Sequence, residues 1–213
     1  MNEPESIKVV LVGESDVGKT SIMSQFTSNI FDPHRVTKPS AQFVSKTIEF
    51  AEFGKSIKFD IWDTVGQVKY RSLARIFYKD AKVTIFVYDI TSIYSFEQIK
   101  LFWYNEVKEN CDTNPILAVV ANKYELYAQL KVNNSEGKAF ADKIGAFFQW
   151  TTSFGSGNNY LFDNIGRACL DPTFDYKKLE EKEVKIREEY KKKKKKIIKL
   201  ETKLDKLNKY IKI

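Results

Sequence analysis

Cysteine is scarce: Cys111 and Cys169 are the only two in 213 residues. They are too few and too far apart for a disulfide framework or a metal knuckle, and they read as reduced core or helix residues of a reducing compartment. Histidine is scarcer still. His34, the only one, falls in a loop segment, so no triad or histidine metal cluster can be built on it. The opening MNEPES has neither a basic start nor an apolar core, so no secretion signal is expected. Long hydrophobic runs are missing as well. Segments such as VVLVG and VTIFVY are strand-sized and far too short to span a bilayer. The expectation is an intracellular, cytoplasmic protein with no transmembrane segment and no internal repeat.

A basic folded domain is also lacking, although the net charge is +7. From Asp175 onward there are 16 Lys/Arg against 8 Asp/Glu, while the first 174 residues hold 19 against 20. All the excess positive charge lies at the end of the chain, so nucleic acid is excluded as the partner of the globular part. What is present is ample core material, with 43% hydrophobic and 14% aromatic residues.

The spacing predicts buried strands at Ile7–Val12, Val83–Tyr88 and Ile116–Ala121 and a short one at Phe147–Trp150. Gln42–Phe50 and Ser56–Trp62 alternate around Gly54 as an antiparallel hairpin. Helices are predicted over Thr20–Thr27, Ser95–Glu109 with Ser92 as its cap, Asn134–Ile144 and Tyr160–Leu170. Strands alternating with helices of this length predict an α/β fold with a mostly parallel sheet covered on both faces. Asp171-Pro172 ends that domain, which predicts one unit over 1–172 and a tail over 173–213.

Three motifs carry chemistry. Gly13 to Thr20, GESDVGKT, is a complete G-x-x-x-x-G-K-[ST] between a predicted strand and helix. Its glycines let backbone N–H groups converge on phosphate oxygens, Lys19 adds a point charge, and the Thr20 hydroxyl can ligate Mg²⁺. The motif alone does not separate ATP from GTP. The second, WDTVGQ, ends the next parallel strand. There Asp63 can hold the metal through its water, the Gly66 N–H can meet a γ-phosphate, and Gln67 can orient the attacking water. The third, Asn122-Lys123-Tyr124-Glu125, comes after the strand ending at Ala121.

With these motifs, the stretch from Ile7 to Leu170 resembles small GTPases of the Ras superfamily, specifically the Rab branch. The likeness extends to KFDIW, KYRSLARIFYKDA, VYDIT and TTSFGSG. It implies the P-loop small-GTPase fold, a six-stranded sheet with one antiparallel strand, and Mg²⁺-dependent hydrolysis of GTP to GDP. Gly13, Ser15, Asp16, Val17, Gly18, Lys19, Thr20 and Ser21 would line the phosphates. Asn122, Lys123 and Glu125 would hold the guanine side, with Ser153 and Phe154 supplying contacts to the purine. Lys19 and Gln67 would be catalytic, and Thr20, Thr37 and Asp63 would serve the metal. Phe43, Trp62 and Phe77 match the aromatic trio through which Rabs present their nucleotide state to effector or regulator proteins. The alternative for the trio is plain hairpin core.

Departures from the family pattern are equally specific. Glu125 stands where the family has aspartate, so bidentate contact with the guanine N–H edge must absorb an extra methylene. The metal-binding threonine of the first switch falls at Lys38 in family spacing, with Thr37 one position earlier. Either a bulge brings Thr37 in, or the metal loses that ligand and hydrolysis is impaired. In TTSFGSG, Phe154 and Gly155 replace the usual alanine and lysine. Rabs end in prenylated cysteines, whereas Cys169 lies far from Ile213. In its place Ile197, Leu200, Leu204, Leu207 and Ile211 step by 3, 4, 3 and 4, a coiled-coil seam. Lys191–Lys196 interrupts its upstream extension as six like charges, either a solvated helix face or a dock for an acidic surface. The reading is a Rab-like GTPase of vesicle-trafficking type, peripheral to a membrane or to a cytoskeletal or protein assembly. The alternative is a pseudo-GTPase that keeps one nucleotide as a structural ligand within an assembly, anchored by the tail.

Overall fold

A β-rich stretch opens the chain because ESIKVVLV is apolar enough to be buried on both sides. Val9 to Val12 have no exposed surface, as expected of a central parallel strand. The computed structural model describes residues 3–28, 42–64, 76–152 and 157–174. The chain divides into two units, Met1–Pro172 and Thr173–Ile213. All the described helices and strands belong to the first, and the predicted tail seam lies outside the described residues.

In chain order the elements are β1 (Glu5–Val12), α1 (Lys19–Ser28), β2 (Gln42–Phe50) and β3 (Lys55–Asp63), then β4 (Val83–Asp89). Helix α2 comes next, in three pieces, Ile93–Gln98, Ile99–Trp103 and Tyr104–Asn110. Then come β5 (Ile116–Asn122), α3 (Asn134–Lys143), β6 (Phe147–Trp150) and α4 (Gly157–Leu170). One six-stranded sheet results, in the order β2-β3-β1-β4-β5-β6. Among the described strands only β2 runs antiparallel, paired with β3 from Gln42↔Asp63 to Phe50↔Lys55. Gly54 closes that hairpin at φ +58, a conformation glycine adopts without a Cβ penalty.

Aromatic side chains join the layers. Below one face Phe26 of α1 stacks on Phe162 of α4 at 3.7 Å, and Phe59 of β3 meets both rings edge-on. Elsewhere Tyr104 of α2 touches Phe86 of β4 and Phe140 of α3, tying those two helices to the sheet.

Helix α2 corrects one sequence expectation. An uninterrupted α-helix over Ser95–Glu109 is not formed; Ile99–Trp103 is a π turn, closed by Tyr104 N–H donating to the Ile99 carbonyl. The Ser92 cap does form, its hydroxyl accepting from Ser95 N–H at 3.2 Å. Periodicity missed the π turn because apolar residues at Phe96, Ile99, Trp103 and Val107 fit α spacing equally well.

Strand order places the site. Beyond β1 the chain returns first to one side, at β3, and later to the other, at β4. The C-terminal ends of β1, β3 and β4 therefore mark the point where the strand order reverses, the usual position of a ligand crevice in such sheets.

Candidate functional site

The loop leaving β1 is built by glycine. Gly13 has φ +148, and a Cβ on it would lie 2.2 Å from the Val87 carbonyl oxygen of the neighbouring strand. Gly18 has φ +94, and its Cβ would meet the Asn122 amide nitrogen at 2.2 Å. Both positions exclude any side chain, and Asp16 adds a left-handed φ of 62 between them. The loop is therefore packed closely against β4 and Asn122, a glycine turn of the kind whose amides converge on an anion.

Lys19 closes the loop from inside. Its ammonium donates to the carbonyls of Gly13 at 2.9 Å and Glu14 at 2.7 Å, and only 6% of the residue is exposed. Burial lowers its pKa from the ordinary 10.5, while the carboxylates of Asp63, Glu14 and Asp16 act to raise it. A buried ammonium in need of negative charge is suited to a phosphate.

Thr20 follows Lys19 in the first turn of α1. Its hydroxyl donates to the buried carboxylate of Asp63, at the end of β3. This brings together a hydroxyl and a carboxylate, hard oxygen donors of the kind Mg²⁺ selects while keeping phosphate and water as its other ligands. Gly13 and Gly18, with no room for a Cβ, together with Lys19 and the Thr20–Asp63 pair, fit a Mg²⁺-bound polyphosphate. Thr20 and Asp63 would hold the metal, which when bound draws charge from the β- and γ-phosphate oxygens.

The other end of the crevice is organised by β5. Asn122 is 1% exposed, and both ends of its amide are engaged. Its nitrogen donates to the Val17 carbonyl at 2.8 Å, and its oxygen accepts from the Thr151 hydroxyl at 2.8 Å. Asn122 thus braces the phosphate loop against the loop after β6. Lys123 takes a left-handed φ of 62 and pairs with Asp89 at 2.8 Å. Asp89 in turn accepts from the backbone and hydroxyl of Thr91. Tyr124 lies tilted against Trp150, ring centroids 4.8 Å apart, and its N–H donates to the Thr151 carbonyl at 3.1 Å. Half-buried Glu125 lies next along the chain, in the short 3-10 helix Tyr124–Gln129.

Of the residues read from the sequence, Gly13, Gly18, Lys19, Thr20, Asp63 and Asn122 are linked through these contacts. Ser15, Asp16, Val17 and Ser21 lie on the same loop and helix start. Thr37, Lys38, Gly66, Gln67, Ser153 and Phe154 lie outside the described residues. The bracing contacts made by Thr151 and Asp89 were missed by sequence reasoning. Thr151 and Asp89 belong to the family-like segments TTSFGSG and VYDIT, yet nothing local distinguishes a bracing hydroxyl from an idle one.

Away from the crevice, Phe43, Trp62 and Phe77 form a continuous aromatic row. Their ring centroids lie 4.7 Å apart for Phe43–Trp62 and 5.6 Å for Trp62–Phe77. Phe43 is 51% exposed while Trp62 and Phe77 are half-buried, so the row reaches the surface at Phe43.

A five-to-one mixed sheet with a G-x-x-x-x-G-K-T loop after β1 and a buried carboxylate at the end of β3 defines a P-loop nucleotide-binding domain. A Ras family model matches residues 8–171. The chain is 37% identical over 151 residues to the Ras-related protein RGP2 of Oryza sativa subsp. japonica, covering 71% of this chain and 68% of that one. It is 35% identical over 164 residues to the Ras-related protein RabC of Dictyostelium discoideum, covering 76% and 83%. Against the Ras-related protein RABA5b of Arabidopsis thaliana it is 34% identical over 173 residues, covering 77% and 78%. The chain belongs to the Ras family of small GTPases, on its Rab-like side. Guanine nucleotide and Mg²⁺ are accordingly its ligands. Among the described residues, no helix is long and apolar enough to cross a membrane.

Proposed function

We propose that this protein is a GTP-binding switch with slow intrinsic hydrolysis, held at its place of action by its C-terminal segment. The observation that carries the reading is the linked set in one crevice: Lys19 clamped to the phosphate loop, Thr20 on Asp63, and Asn122 bracing the loop from the base end. In this reading the phosphate-loop amides and Lys19 stabilise charge on the transferred phosphoryl group. Gln67 places the attacking water for in-line displacement. Slow turnover is expected because the position where family spacing puts the switch threonine holds Lys38, with Thr37 one residue earlier. The deciding experiment is chromatography of the nucleotide released from freshly purified protein, and then of its GTP content over hours. GDP or GTP at about one per chain, with slow conversion, supports the switch. GTP that stays intact indefinitely would favour the pseudo-GTPase reading, and adenine nucleotide would overturn the guanine assignment.

Replacing Thr20 tests the metal. Thr20→Asn removes the hydroxyl that meets Asp63, and Mg²⁺-dependent GTP binding is expected to fall more than GDP binding. Titrations with and without EDTA measure the difference; equal loss of both nucleotides would refute the assignment of Thr20 to the metal.

Glu125 tests the base. A buried hydrogen bond to a charged group is worth about 1.5–3 kcal/mol. Glu125→Ala should therefore speed GDP release by roughly ten- to hundredfold, and Glu125→Asp should slow it below wild type. If neither variant changes the GDP off-rate, Glu125 does not hold the base.

The tail carries the docking proposal. An apolar seam at Leu200, Leu204, Leu207 and Ile211 gains about 1.5–3 kcal/mol per buried leucine when packed against a partner helix, and six neighbouring lysines favour a partner that also offers acid. Leu204→Asp with Leu207→Asp should preserve nucleotide binding while abolishing recovery of the assembled complex. Unaltered recovery would move the anchoring role to the row Phe43, Trp62 and Phe77.

A further inference from the structure

The first variable position of the phosphate loop holds a carboxylic acid, Glu14, that is only 7% exposed. A carboxylate buried in a loop that receives a polyphosphate is electrostatically adverse unless it is turned away and bonded. Here it is bonded to Trp103, whose indole N–H donates to Glu14 Oε1 at 2.9 Å; the indole itself is fully buried. The same residue's backbone carbonyl is one of the two that hold the Lys19 ammonium. Trp103 therefore connects to Lys19 through a single residue.

Trp103 reaches this position by way of the π turn. Ile99–Trp103 ends at Trp103 itself, and the Tyr104 N–H bonds back to Ile99. The wider turn absorbs one extra residue and rotates the remainder of α2 by roughly 100° relative to an uninterrupted α-helix. An α-helix over the same sequence would give the indole a different bearing. The neighbour Phe102, in edge-on contact with Trp103, has no N–H to offer. A helix irregularity, a buried tryptophan and a buried loop carboxylate thus meet at one hydrogen bond, and none of them takes part in phosphate or metal chemistry.

We propose that Trp103 is a positioning residue for nucleotide binding: through the Glu14 carboxylate it fixes the phosphate-loop peptide whose carbonyl holds Lys19, and the π turn in α2 exists to deliver it. The proposal rests on the guanine-nucleotide reading. It also gives α2 a direct mechanical line to the phosphates.

The test uses the full chain with ¹⁵N-labelled tryptophan. Three indole N–H signals are expected, from Trp62, Trp103 and Trp150, and the Trp103 signal is assigned by its loss in Trp103→Phe. Glu14→Gln keeps the shape but removes the charge, and should move the Trp103 signal upfield while leaving those of Trp62 and Trp150 in place. Fluorescent GDP release should accelerate roughly tenfold in both Trp103→Phe and Glu14→Gln, the scale of one lost charge-assisted hydrogen bond. An indole signal that ignores Glu14→Gln would overturn the proposal. So would release rates within twofold of wild type, even if the melting temperature fell, because the pair would then be structural only. Wild-type protein that takes up no guanine nucleotide would overturn the nucleotide reading itself, and is told apart because the indole shift is read without nucleotide.

Discussion

Lys19→Ala is expected to abolish tight nucleotide binding while leaving the nucleotide-free fold nearly intact. Two charge-assisted hydrogen bonds to phosphate oxygens are worth about 3–6 kcal/mol together, or roughly 10²- to 10⁴-fold in affinity. The fold should tolerate the change because the ammonium, clamped by the Gly13 and Glu14 carbonyls, is held at a disadvantage: burial lowers its pKa from 10.5. That shift has a pH consequence. The unfolded chain binds this proton more readily than the folded one, so the lysine's contribution makes stability rise as pH climbs towards 10.5. Lys19→Ala should flatten that slope in nucleotide-free protein. Lys19→Arg should not restore binding, since a planar fork does not fit a point-charge site that is 6% exposed. Calorimetry with GDP, and thermal melts of the nucleotide-free protein across pH, check both halves. Binding within tenfold of wild type would overturn the assignment of Lys19 to the phosphates.

Asn122→Ala should be the most damaging single change to the crevice as a structure. It deletes a buried amide and strands two partners, the Val17 carbonyl and the Thr151 hydroxyl. Each buried polar group left unsatisfied costs about 1–3 kcal/mol, for a combined loss of about 2–6 kcal/mol. In a domain of this size that lowers the melting temperature by roughly 4–24 °C. Nucleotide release should accelerate as well, because the phosphate loop loses its tie to the far end of the crevice. Thr151→Ala strands only one partner and should cost less. The double variant should fall short of the sum, since both changes remove the same bond. Strict additivity, or a melting temperature unchanged in Asn122→Ala, would show that the brace does not hold the loops.

These expectations draw on two kinds of information. Motif chemistry is local, so the sequence alone was enough for the phosphate loop. The glycines at 13 and 18, Lys19 and Thr20 sit within one turn-and-helix start, and their roles arise from backbone geometry that few other sequences adopt. The strands were legible for a similar reason: β1, β4 and β5 are apolar on both faces, and Gly54 announces the hairpin. Its position at the end of the next parallel strand extended this to Asp63, and family likeness to Asn122.

Contacts between distant segments were another matter. The Thr151 hydroxyl on Asn122 and the Asp89 carboxylate on Lys123 join residues tens of positions apart, and hydrogen bonding leaves no periodic trace in a sequence. Helix α2 shows the limit most clearly. Its apolar residues at 96, 99, 103 and 107 satisfy α spacing, so periodicity returns an ordinary helix. Packing against β4 and the phosphate loop decides otherwise, because a five-residue turn at Ile99–Trp103 is tolerated only where tertiary contacts, here the indole on Glu14, repay its poorer backbone geometry. Neighbours along the chain are enough to specify the strands and the phosphate-loop motif. Tertiary structure alone decided which side chains brace that chemistry, because those bonds exist only after the sheet has brought their ends together.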